Sequence, residues 1–180
     1  MRQSDPTAFG DDLFQRPTGH FAGELTRKEK KMPKLLEEVR TVVVPATKVR
    51  PSMLRDGVIE GVKVSLMVQA QEVLREHEEI IEAPRSKVLI SSISRDSKVY
   101  TVFNTLGYES ARISFASVWG MVLGQPEGQE GDLGIFKPNL FTPREFPGWV
   151  FYWEQYQKGW HLGITAHTFV LAKESQVLSR

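Results

Sequence analysis

The sequence predicts an α+β fold: a single domain with a mainly antiparallel sheet and two or three helices, behind a flexible N-terminal arm. Three observations predict it. β-rich runs recur at 40–49, 58–68, 88–94, 98–105, 149–156 and 161–172. Two stretches, 70–82 and 108–123, switch to a helical period. Strands and helices do not alternate strictly, as a parallel α/β sheet requires, which also argues against doubly wound nucleotide-binding folds.

Residues 1–23 carry breaker clusters at Asp5-Pro6, Gly10-Asp11-Asp12 and Arg16-Pro17-Thr18-Gly19, with Phe9, Leu13, Phe14 and Phe21 scattered among them. They read as an arm, with residues 24–180 as the folded domain. Pro33 suits a first helical turn, and Leu35, Leu36 and Val39 give a short apolar face, so a brief helix is expected near 33–39. The run RTVVVPATKV (40–49) is strand-like, and Pro45 makes it an edge strand or one with a break. Pro51 to Gly57 is a turn. Val58, Val62, Val64, Leu66 and Val68 then fall on one face of an expected strand.

From Ala70 the period changes. Val73, Leu74, His77, Ile80 and Ile81 share a helical face, opposite Glu72, Glu76, Glu78, Glu79 and Glu82, and Ala83-Pro84 ends the helix. The runs at 88–94 and 98–105 flank Arg95-Asp96-Ser97 and predict a hairpin. Over 108–123, Tyr108, Arg112, Phe115, Val118, Trp119 and Val122 predict a helix that Gly120 weakens. The segment 124–134 is a polar, glycine-rich loop, and 135–148 is extended and irregular. Two closing strands, 149–156 and 161–172, join at Gln157-Lys158-Gly159.

Composition narrows the chemistry. The chain has 180 residues, 41% hydrophobic and 25% charged, which suits one ordinary domain with a real core. It contains no cysteine, so disulfides, thiolate-bound zinc, iron–sulfur clusters and cysteine nucleophiles are excluded. A net charge of +1 exerts no global pull toward nucleic acid. No run of about 20 apolar residues offers a transmembrane helix, and Met1 to Gly23 lacks a signal-peptide core. An intracellular place is expected, cytoplasmic or peripheral to a membrane.

No motif nominates a catalytic residue, a metal or a cofactor. His77-Glu78 opens H-E-E-I-I-E, which fails the H-E-x-x-H zinc pattern. On one regular strand His161 and His167 would lie ~20 Å apart, too far for one ion. The glycines of 124–134 are interspersed with Glu127, Glu130 and Asp132, which repel phosphate. No G-x-S-x-G occurs.

Two features point to binding. Residues 136–169 hold ten of the eighteen aromatic residues. On the strand 149–156 the larger set, Trp149, Phe151 and Trp153, is assigned inward, with Val150, Tyr152, Glu154 and Tyr156 outward. Either the segment 135–148 covers that second face, or Tyr152, Tyr156 and Trp160 form a partner surface. The second feature is charge. Arg27, Lys28, Lys30, Lys31 and Lys34 face one acid, Glu29, within 27–34, while the helix at 72–82 is acidic. The two could steer self-association into a homo-oligomer. The leading reading is a non-enzymatic binding and assembly protein. The alternative is a small enzyme or ligand-binding domain with a pocket near Trp153, Trp160, His161 and His167.

The runs GVKVSLMVQAQEVLREHEEI (61–80), VWGMVLGQPEGQ (118–129) and HLGITAHTFVLAKES (161–175) give a layout that resembles small rhabdovirus-type matrix proteins. The shared pattern is a lysine-bearing arm, a strand leading into a helix, an apolar segment before a glycine/proline loop, and a closing strand. It covers about residues 60–175 as pattern rather than motif, and the P-P-x-Y budding motif common in that family is absent. The resemblance implies self-assembly, contact with the inner face of a membrane and with a nucleoprotein, and a place in a virion. By position it makes Lys28, Lys30, Lys31 and Lys34 the contacts to anionic lipid or RNA.

Overall fold

The computed structural model of the chain describes residues 34–180. The arm expected over 1–23, together with Lys28, Lys30 and Lys31, lies outside the described residues.

The architecture is α+β, as the sequence predicts. The strands are β1 (Leu36–Val44), β2 (Thr47–Val49), β3 (Gly57–Ile59), β4 (Val62–Leu66), β5 (Ile81–Ala83), β6 (Ser86–Ile93), β7 (Ser97–Lys98), β8 (Arg112–Ile113), β9 (Asn139–Pro143), β10 (Val150–Gln155), β11 (Trp160–Thr165), β12 (Val170–Leu171) and β13 (Gln176–Ser179). The helices are α1 (Val68–Arg75), α2 (Val99–Leu106), α3 (Tyr108–Ala111) and α4 (Phe115–Leu123), so the described residues hold one helix more than expected.

The main sheet runs β1-β6-β13-β9-β10-β11-β4-β3, with β8 beside β9. Neighbours are antiparallel except β13 with β9, β11 with β4 and β8 with β9. Two ribbons, β2–β5 and β7–β12, stand apart from it.

The period-two alternation of the central strands buries both faces. Phe141, Phe151, Trp153, Trp160, Leu162 and Leu178 point to one core, under α1, α4 and the β2–β5 ribbon. Leu140, Val150 and Val177 point to a second, smaller core under α2, α3 and the end of β12. The domain therefore has three layers, and an inside-outside choice for β10 fails. Val150 is as buried as Phe151, while Trp149, expected inward, precedes the strand and is 43% exposed.

Other expectations are corrected as well. Residues 36–39 are extended, not helical: the β-branched run that follows carries the strand back to Leu36, and a helix of two turns is marginal alone. Val39 falls at a register shift, a bulge in edge strand β1. Residues 57–66 form a hairpin, not one strand, because Glu60 and Gly61 both take positive φ (51° and 83°) and reverse the chain. Helix α1 stops at Arg75, and Ile81 and Ala83 are instead buried as strand β5 against β2.

No hairpin forms at 88–105. Val99, Val102, Phe103 and Leu106 repeat at helical spacing and pack on the second core as α2, overriding the β propensity of the run. The single helix expected over 108–123 is divided by β8. The last expected strand is divided too. It ends at Thr165, a turn follows, and only Val170–Leu171 is strand again. Beyond it β13 lies in the middle of the sheet, where Val177 and Leu178 are fully buried. The edge position and break expected for 40–49 are both present, with Pro45 between β1 and β2.

Candidate binding face

The second face of the sheet is covered at the β6–β13–β9 end. Toward β10, β11 and β4 its side chains are half-buried or exposed: Tyr152, Glu154 and Tyr156 from β10 and its end, His161 and Thr165 from β11, and Lys63 and Ser65 from β4. The pairing places Glu154 opposite His161 and His161 opposite Ser65, so these groups sit in one row across three strands.

Histidine 161 is held on both sides. Its Nδ1 lies 2.9 Å from Ser65 Oγ and shares a hydrogen bond with it. The Tyr152 and Tyr156 rings flank it, with centroids at 6.4 Å and 6.1 Å. The Tyr152 ring lies across Gly163, its cross-strand partner. Any Cβ at 163 would collide with the end of that ring, so a bare α-carbon is what seats it. Burial, and then the Glu154 carboxylate, raises the Tyr152 phenol above its ordinary value of 10.0. Beside Tyr152 and Glu154 opens a groove of about 340 Å³, walled by Met67, Leu140, Phe169 and Leu171.

A serine hydrogen-bonded to a histidine raises the question of nucleophilic catalysis. The backbone answers it locally. The Leu66 N–H, the amide that follows Ser65, is already donated to Asp56 Oδ1 at 2.7 Å, so it is not free to stabilise an oxyanion. What the row offers is aromatic area, an imidazole, a hydroxyl and a carboxylate.

Of the residues singled out from sequence, Tyr152 and Tyr156 do meet on one face. Trp160 does not join them: it is 1% exposed, points to the opposite core and donates its indole N–H to the Gln125 carbonyl. Lys34 is exposed at the start of the described residues. The pocket expected near Trp153, Trp160, His161 and His167 does not assemble. Both tryptophans are buried in the first core, while His161 lies on the other face. His167 lines a separate cavity of about 60 Å³ with Tyr100, Thr142 and Trp149. His77 sits against Phe146, centroids 5.0 Å apart. No group of three or more His, Asp or Glu that could hold a metal ion occurs among the described residues.

Sequence reasoning missed Ser65, Gly163 and Phe169. Ser65 was legible only through register, because β4 is brought beside β11 by a parallel pairing between segments nearly 100 residues apart, and Gly163 only through the β10–β11 register that sets it opposite Tyr152. Comparison with family models, with curated proteins and with solved structures finds no match to this chain.

Proposed function

We propose that the chain is a non-enzymatic binding and assembly protein, matrix-like in the sense its sequence pattern suggests, that self-associates and meets a membrane surface and a nucleoprotein. The observation that carries this reading is the set of large aromatic side chains left exposed in the C-terminal half. Trp149, Tyr156, Phe169 and Phe136 are 43%, 49%, 58% and 86% exposed, and Val170 beside Phe169 is 53% exposed. Exposed tyrosine and tryptophan suit contact sites because they offer area at little rotamer entropy. A second copy of the chain is one partner. The lysines at 28, 30, 31 and 34 supply the attraction to anionic lipid or RNA, each contributing ~1 kcal/mol near such a surface.

The test is size-exclusion chromatography with light scattering, at low and high salt. Mass should rise with protein concentration, and Tyr156→Ser with Phe169→Ser should hold the protein monomeric. A wild-type chain that stays monomeric at every concentration and salt would sink the assembly reading. Sedimentation with anionic vesicles, comparing wild type with the four lysines changed to Gln, tests the membrane part: equal binding removes those lysines.

A further inference from the structure

The groove beside Tyr152 has one charged residue among the side chains that line it, Glu154. Glu154 is half-buried and makes no ion pair among the described residues. The rest of the lining is apolar or aromatic, with Met67, Leu140, Phe169 and Leu171 as walls and Thr165 as the other polar side chain. At about 340 Å³ the space is at the lower end of the ~300–1,000 Å³ usual for ligand sites, room for one or two side chains. A half-buried carboxylate that borders apolar walls and has no ion pair gains from a cation brought into the groove. Tyr152 lines the same groove, and tyrosine faces attract cations as well.

From this charge complementarity we infer that the groove between Glu154 and Phe169 takes a basic side chain, arginine or lysine, carried on an apolar segment of a partner polypeptide. The guanidinium or ammonium meets the Glu154 carboxylate, its aliphatic stem lies along Tyr152, and the adjoining apolar residue of the partner fills the space between Met67, Leu140 and Leu171. A membrane is the poorer occupant. The carboxylate repels anionic headgroups, and a flat bilayer does not follow a concave groove. The inference rests on reading this face as a binding surface, but it does not require self-association.

The test uses the full chain labelled at Met, Ile and Leu methyls, titrated with acetyl-arginyl-leucine amide and followed by NMR. Saturable shifts should appear at the Met67, Ile164 and Leu171 methyls. Acetyl-citrullinyl-leucine amide, the same shape without the charge, should bind about tenfold more weakly, and Glu154→Gln should reduce arginine-peptide affinity by about the same factor. Unchanged methyl spectra away from the groove establish that Glu154→Gln is folded. Citrulline binding as tightly as arginine, no saturable shift at those methyls, or shifts only with phosphatidylcholine micelles would each overturn the inference. Because the readout is local to the groove, a protein that stays monomeric in light scattering leaves it standing.

Discussion

Trp153 gives the sharpest test of the first core. It is fully buried in the first core, its ring 6.0 Å from that of Trp119, yet its indole N–H has no partner. Trp119, by contrast, donates its N–H to Glu60. Replacing Trp153 by Ala removes roughly 200 Å² of apolar burial, or about 5 kcal/mol at ~25 cal/mol per Å². Part of that returns, because losing an orphaned donor relieves a desolvation cost of ~1–3 kcal/mol. The net expectation is a loss of about 3 kcal/mol, a large fraction of a typical stability of ~5–15 kcal/mol. Trp153→Phe keeps most of the area and discards the orphaned N–H, so it should lie within about 1 kcal/mol of wild type. Urea melts of the two variants give both numbers. If Phe is as damaging as Ala, the N–H has a partner or the ring is not where it is placed, and the reasoning fails.

Three further outcomes follow from the same packing. Gly159→Ala should be far more destabilising than Gly163→Ala. A Cβ at 159 meets the Lys63 backbone of β4, whereas at 163 it meets the movable end of Tyr152; thermal melts should rank them so, and the reverse order would contradict the β11–β4 pairing. Glu145→Ala should cost ~1–2 kcal/mol by denaturant melt, because both its oxygens cap the start of α4, one accepting from the Ser114 hydroxyl and the other from the Phe115 N–H. The raised Tyr152 phenol keeps its proton longer in the folded chain than in the unfolded one. Its contribution is complete below 10.0 and is lost as pH rises through the higher folded value. Alkaline unfolding should begin in that window, and Tyr152→Phe should flatten the pH dependence there; an unchanged slope would deny the burial of the phenol.

Much of the fold was legible because alternation is a local property. The edge strand with its proline break, the strand at 62–66 and the closing β10–β11 pair follow from residues a few positions apart. The errors arise where two periods coincide. Val99-Tyr100-Thr101-Val102-Phe103 satisfies a strand by composition and a helix by the spacing of Val99, Val102 and Phe103, and only the presence of a second core decides for the helix. That second core was invisible from β10 alone. Trp149, Phe151 and Trp153 look like the heavier face, so Val150 is read as outward until α2 and α3 are known to lie over it. The short strand β13 was missed for a related reason. Four residues near the chain end carry little pattern, and their burial comes wholly from β6 and β9 on either side.

The binding face was half legible, for a physical reason that concerns β10. One strand serves two environments along a single face: Val150 lies under the helices of the second core, and Tyr152 and Glu154, two and four residues on, emerge from beneath them. Alternation tells which residues share a face and says nothing about where a covering layer ends. The limit of cover here is set by α2 and the β7–β12 ribbon, elements placed by hydrogen bonds from Val99 and Tyr100 to the Phe169 and His167 carbonyls. Those two bonds tie the segment 166–170 to α2, and Phe169 lines the groove. The groove is in this sense a product of the fold's third layer being short.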